Sequence, residues 1–291
     1  MLGFYHLSLQ GSSHKASGKE CQDSSDIVRL SNGWVVSVIA DGLGSAQYSG
    51  VGSKTAVQSI IDYLSNYKFS DWNVDELRRI LKEAFDSAKK SIEQVSQENG
   101  IHIQEYDTTL TAAIYNGNQI VYAHVGDGGI VQLCDTGEYA QLTTVQKGEE
   151  FNSVQPLRNE KAWVFGVSEE NVCAFAMFTD GVYDVVCPWL LASEEQKIYV
   201  NYVRLYMDMN IIEANSEDDF ISLKENAERF LLSEFNASIT DDKTVAVVVN
   251  TDTIPALQPE EYYNEPEWDA LKQKIDEKLY SQETITEDEN A

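Results

Sequence analysis

The sequence predicts a layered α+β domain assembled from antiparallel hairpins. Apolar, β-branched runs recur along the chain and stop at turn residues. Helical segments fall in pairs between β-rich blocks, and Asn116-Gly117-Asn118 sits between two alternating runs as a hairpin turn. A doubly wound parallel sheet would instead alternate single strands with single helices.

Residues 4–10 alternate as a short strand and lead into a polar, Gly-flanked loop over 11–19. Strands follow at 26–30 and 34–40. From Val51 to Tyr67 the apolar positions Val57, Ile60, Ile61 and Leu64 recur at helical spacing. A second helix starts at Val74 behind a cap at Asp71 or Asn73, carries Leu77, Leu81, Ala84, Phe85, Ala88 and Ile92 inward, and ends at Asn99-Gly100. Its Arg78, Arg79, Lys82, Lys89 and Lys90 form a solvated face. Strands are expected at 130–134, 139–142, 162–166 and 172–178, helices at 188–206 and 217–235, and a last strand at 244–250. The chain divides at residue 250 into a folded domain, 1–250, and an acidic tail, 251–291. Beyond Pro255 the tail reads by default as disordered. The stripe Trp268, Leu271, Ile275 and Leu279 spells one amphipathic helix, whose docking is the minority alternative.

With 48 Asp and Glu against 21 Lys and Arg, the formal charge is −27. Such a surface repels nucleic acid and anionic membranes, and attracts metal cations and basic peptide segments. The start Met1-Leu2-Gly3-Phe4-Tyr5-His6 lacks the basic and apolar regions of a signal peptide, and no run has transmembrane length. Cys21, Cys134, Cys173 and Cys187 are scattered without metal-site spacing, so a reducing cytoplasmic setting is expected.

Chemistry concentrates where strands end. Runs 34–40, 120–126 and 172–179 stop at Asp41-Gly42, Asp127-Gly128 and Asp180-Gly181, and Asp241-Asp242 opens the last strand. Any one Asp-Gly is more often a simple turn. Four carboxylate stations on stiff strand tips, with no competing His or Cys set, are what a hard divalent cation requires.

In this order the motifs resemble those of the metal-dependent type 2C Ser/Thr protein phosphatases, especially compact bacterial members. The matching elements are Cys21-Gln22-Asp23, Ala40-Asp41-Gly42-Leu43-Gly44, Asp107-Thr108-Thr109, Val125-Gly126-Asp127, Phe178-Thr179-Asp180-Gly181 and Asp241-Asp242-Lys243-Thr244. The resemblance covers about residues 1–250 and implies a four-layer α-β-β-α sandwich of two mainly antiparallel sheets flanked by helical pairs. It also implies a dinuclear Mn²⁺ or Mg²⁺ site. Asp41 would bridge the ions, the Gly42 carbonyl would bind one, and Asp180 and Asp241 would complete the other. Asp127 with Asp180 would hold a third, weaker ion. Asp23 would act catalytically from behind the ligands by orienting water, with Gln22 and Asp242 also in that outer layer. Asp242 is equally a capping residue before a strand.

The implied reaction is hydrolysis of phosphoserine and phosphothreonine in proteins by a metal-activated water, and the implied partners are a phosphoprotein and a cognate Ser/Thr kinase. Two departures stand out. The family often has an Arg five residues before the first acidic Asp, and Gly18 occupies that place. His14 is the candidate phosphate contact or leaving-group acid instead, with Lys15 and Lys19 behind it, the alternative being an exposed loop histidine. Gly128-Gly129 also replaces the usual Ser-Arg pair, which weakens the third site. His124 reads as a packed histidine, and segment 143–165, where the family has a substrate-selecting flap, shows no pattern. The competing classes are a non-catalytic phosphoprotein-binding module and a phosphatase of small phosphoesters.

Overall fold

Strand runs that are apolar at nearly every position are buried on both faces, and that requirement organises the molecule. The computed structural model describes residues 1–146, 154–168 and 171–277. Its elements are β1 (Leu2–Leu9), α1 (Ser12–Ser17), β2 (Asp23–Arg29), β3 (Val35–Asp41), α2 (Ser49–Asn66), α3 (Val74–Asn99), β4 (Leu110–Tyr115), β5 (Ile120–Val125), β6 (Gly129–Cys134), β7 (Tyr139–Gln141), β8 (Val164–Val167), β9 (Val172–Phe178), α4 (Asp180–Val186), α5 (Val200–Met207), α6 (Glu217–Leu231) and β10 (Lys243–Asn250). Two five-stranded sheets run β1-β10-β9-β6-β7 and β2-β3-β4-β5-β8, with every pairing antiparallel.

Alternation along single strands fills three apolar layers. Val36, Val38 and Ala40 of β3 face α2 and α3, while Val35 and Ile39 face the other sheet. Likewise Val245, Val247 and Val249 of β10 face the helices on the opposite side, and Ala246 and Val248 point between the sheets. This is the α-β-β-α sandwich expected from the sequence. Asn73 caps α3, accepting from Glu76 N at 3.1 Å, and Ser216 with Asp219 forms a capping box on α6. Among the described residues no helix is long and apolar enough to cross a membrane.

Several elements differ from expectation. The loop over 11–19 contains the short helix α1. Asp180-Gly181 opens α4 rather than closing a turn. The helix expected over 188–206 is broken. Pro188 introduces a single 3₁₀ turn at Trp189–Leu191, and α5 begins only at Val200.

The intervening chain is committed to residues after 255, which lie on the domain rather than free of it. Tyr199 donates its hydroxyl to Glu265 and stacks edge-on against Trp268, at 5.3 Å between ring centroids. Tyr139 N donates to the Tyr262 hydroxyl at 2.9 Å, and Arg204 sits 4.0 Å over the Tyr263 ring. Residues 268–277 are helical, with Trp268 and Leu271 against the α5 layer. Leu279, the last position of the predicted stripe, lies outside the described residues, as does part of segment 143–165.

Candidate metal centre and cleft

Three strand ends deliver three carboxylates to one point. The backbone of Asp41 at the end of β3 is held on both sides: Asp41 N donates to Thr109 Oγ1 at 2.9 Å, and its carbonyl accepts from Thr109 N and Thr108 Oγ1, each at 2.8 Å. Gly42 follows, with its N–H donated to the Gln22 carbonyl at 3.1 Å. A Cβ here would lie 2.6 Å from the Ser49 backbone, so only glycine lets the chain turn against α2. After β5, Gly126 adopts φ +126, and Asp127 follows with a carboxylate oxygen near that of Asp41. Gln146 closes that turn by donating its N–H to the Gly126 carbonyl at 2.8 Å. Asp180 opens α4, its Oδ1 accepting from Gly181 N at 2.6 Å.

Ligand oxygens of Asp41, Asp127 and Asp180 all lie within 4.8 Å of one another. Burial first, then the charges of Asp23, Asp180 and Asp127, hold the Asp41 carboxyl well above the usual carboxylate range. Burial and the charge of Asp241 raise Asp180 in the same direction. Three such groups do not ionise together without a counter-charge. Gln22 Oε1, buried in the wall of the same cleft, has no hydrogen-bond partner among the described residues. An all-oxygen donor set with unmet negative charge fits a hard divalent cation, Mg²⁺ or Mn²⁺, and fits softer ions less well.

Asp23 lies behind this cluster, paired in register with Asp41 across β2 and β3. It is buried, and its Oδ2 accepts from Thr179 Oγ1 and Thr244 Oγ1, each at 2.7 Å. Burial outweighs both hydrogen bonds and pushes its carboxyl up to about 7. Each threonine belongs to a motif in which only the aspartates suggested chemistry, and its work is to hold Asp23.

This has a pH consequence. Between the ordinary carboxylate range and about 7, folded Asp23 keeps a proton that the unfolded chain has released, so metal-free stability falls as pH rises through that window. Melting in EDTA from pH 5 to 7.5 should therefore show a steeper decline for the wild type than for Asp23→Asn. Equal slopes would remove the assignment.

His14, Asp241 and Asp242 form a second group. Asp242 is 3% exposed, and its Oδ1 accepts from Gly11 N at 2.7 Å while its Oδ2 accepts from Gln22 N at 2.6 Å. His14 Nδ1 is 2.8 Å from Asp242 Oδ2, and Nε2 is 3.7 Å from Asp241 Oδ1. Asp242 thus fastens both ends of the α1 loop to the start of β10, a structural duty beyond the outer-layer role expected of it. Asp241 faces the cleft, but its ligand atoms group with His14 and Asp242 rather than with the three-carboxylate cluster. Lys15 and Lys19 are exposed and do not line the cleft; Lys19 Nζ donates to the Gly44 carbonyl at 3.2 Å. His124 is packed as expected, its Nδ1 2.8 Å from Thr111 Oγ1, and burial lowers its pKa to about 4.

The cleft encloses about 710 Å³ and joins His14, Asp241 and the three-carboxylate cluster in one space. Two of its charged residues escaped the sequence reading, Asp184 and Arg158. Arg158 comes from the patternless 143–165 stretch and is held by Asp107. No spacing marked it, because its partner lies 51 residues away.

The family model described as protein phosphatase 2C matches residues 10–217. No curated protein matches the sequence. Among solved structures, the fold is similar to that of the serine/threonine phosphatase Stp1 from Staphylococcus aureus, with a TM-score of 0.62 at 15% identity, over 86% of this chain and 95% of that one. The S. agalactiae serine/threonine phosphatase gives 0.61 at 18% identity, over 86% and 99%. The catalytic domain of the serine threonine protein phosphatase PstP in complex with 2 manganese ions gives 0.57 at 18% identity, over 86% and 99%.

Proposed function

From the premise that this chain belongs to the protein phosphatase 2C family and is a phosphatase of that type, we propose that it hydrolyses phosphoserine and phosphothreonine in proteins at a dinuclear Mn²⁺ or Mg²⁺ site. The observation carrying this reading is the convergence of Asp41, Asp127 and Asp180 within 4.8 Å in an open cleft. Asp41, the Gly42 carbonyl, Asp180 and Asp241 are the proposed protein ligands, with Asp127 and Asp180 available to a third ion. Residues 1–250 are the proposed catalytic unit, and a phosphoprotein with its kinase the proposed partners.

Divalent ions held there would offset phosphoryl charge and make hydroxide available near neutral pH. The protein's own contributions are positional. Thr108 and Thr109 fix the direction of Asp41, and Thr179 and Thr244 fix Asp23 behind it, leaving Asp23 able to hold or release a proton beside the reacting water. Asp242 presents His14 to the cleft, where it is the proposed phosphate contact or leaving-group acid.

The test is turnover of a phosphothreonine peptide with Mn²⁺. Activity should vanish in excess EDTA and return with Mn²⁺, and His14→Ala should lower kcat/KM about 10-fold if His14 is a charged phosphate contact and about 100-fold or more if it is the leaving-group acid. Activity that persists in EDTA would overturn the reading. A His14→Ala variant equal to wild type would make His14 a bystander.

A further inference from the structure

Six aspartates line the cleft: Asp41, Asp107, Asp127, Asp180, Asp184 and Asp241. Among the described residues the same wall holds one arginine or lysine, Arg158. Any anion that enters must be gripped against this field. Divalent ions held at the Asp41 cluster would offset only part of a phosphoryl group's charge. Oxygens turned away from the ions need a donor supplied by the protein.

Arg158 is mounted for that purpose. Its Nε donates to both oxygens of Asp107, at 2.7 Å and 2.9 Å, and the Asp107 side chain is only 10% exposed. The chain beside it is pinned. Leu157 N donates to the Thr108 carbonyl at 2.8 Å, the Leu157 side chain is buried, and Trp163 Nε1 donates to the Leu157 carbonyl at 2.8 Å. Thr108 is the residue whose Oγ1 holds the Asp41 carbonyl, so the mount of Arg158 adjoins the mount of the carboxylate cluster.

A guanidinium carries its N–H donors in a planar fork. Here Nε alone is used on Asp107, and neither Nη meets an acceptor among the described residues. Asp107 holds the plane, and the open edge remains for an oxyanion.

We propose that Arg158 is the phosphate-gripping residue of this cleft, its Nη groups donating to phosphoryl oxygens of the substrate while Asp107 fixes the guanidinium. This rests on the phosphatase reading and deepens it, because it places the anion's contact on segment 154–163 rather than on Lys15 or Lys19. The competing account is a rim ion pair whose only work is to fasten that segment.

The two accounts separate in full-length, Mn²⁺-loaded protein. Arg158→Ala and Arg158→Gln should each raise KM for a phosphothreonine peptide about 10-fold or more, and raise the inhibition constant of inorganic phosphate by a similar factor. Changes in kcat should be smaller, and Mn²⁺ binding by calorimetry should be unaltered. Arg158→Lys should recover only part of the loss, since an ammonium cannot fork. If KM and the phosphate constant stay within about twofold of wild type in Arg158→Gln while Mn²⁺ still binds, the proposal is overturned. Direct calorimetric titration with phosphate keeps the tests apart. Arg158-dependent phosphate binding without turnover would remove the phosphatase reading and leave the anion site standing.

Discussion

Asp41→Asn should abolish Mn²⁺-dependent turnover and yet make the metal-free protein more stable. Its carboxylate shares a space of 4.8 Å with those of Asp127 and Asp180, and burial, reinforced by their charge, holds its pKa well above the ordinary range. An amide there removes a buried like-charge repulsion, so the melting temperature in EDTA should rise by a few degrees. It also removes the one residue expected to touch both ions. The loss of activity should exceed the roughly 10–100-fold that follows damage to a group behind a ligand. The Mn²⁺-induced rise in melting temperature seen in the wild type should shrink or disappear. The opposite signs of the two thermal effects are diagnostic, because a merely structural aspartate would lose stability in both states. Wild-type activity in this variant would end the site assignment.

The second large effect falls on a residue with little of the chemistry. Asp242 is almost fully buried and accepts from Gly11 N and Gln22 N. Asp242→Ala strands both donors. Hydrogen bonds to a charged acceptor contribute roughly 1.5–3 kcal/mol each, so the expected cost is about 3–6 kcal/mol. Denaturant melts would show it as a lower midpoint with little change in slope. Asp242→Asn, which keeps an acceptor oxygen, should recover part of the loss. Hydrogen exchange should locate the damage, with amides of residues 11–22 losing protection before those of β3 or β9. A midpoint within experimental error of wild type for Asp242→Ala would show that the α1 loop is held by other contacts.

The fold was largely legible because its strands are buried on both faces. Residues 35–40, polar only at Ser37, and Val172–Phe178 read as apolar runs, and a run of that kind ends where the sheet ends, so Asp41 and Asp180 fell at strand tips without any knowledge of the partner sheet. α3 was legible to its last turn because its apolar stripe, Asn73 and Gly100 all agree. What could not be read was whatever depends on contact across the chain. Asp-Gly at 180 looks like a turn, and it opens a helix because the chain there packs against residues 241–244. The helix expected over 188–206 has the right periodicity, but Leu191 and Tyr199 answer to the segment after 255 instead. Asp242 reads equally as an outer-layer carboxylate or a capping residue, and its backbone partners lie 231 and 220 residues away. Arg158 was invisible for the same reason.

The position of β10 decides when a working site can exist during synthesis. It is the last strand among the described residues, yet it lies inside its sheet between β1 and β9. A nascent chain that has emerged only to residue 240 therefore has β1 made and unpaired, since Leu2 waits for Asn250 and Leu9 for Lys243. Asp23 lacks Thr244, and the α1 loop lacks Asp242. Pairing across that span is slow and leaves sheet edges open in the meantime. Stalled ribosome–nascent-chain complexes should stay protease-sensitive and catalytically silent until β10 clears the exit tunnel, and then acquire both properties of the finished protein in one step. The enzyme would thus be unable to act on its surroundings before β10 has been made and has paired with β1.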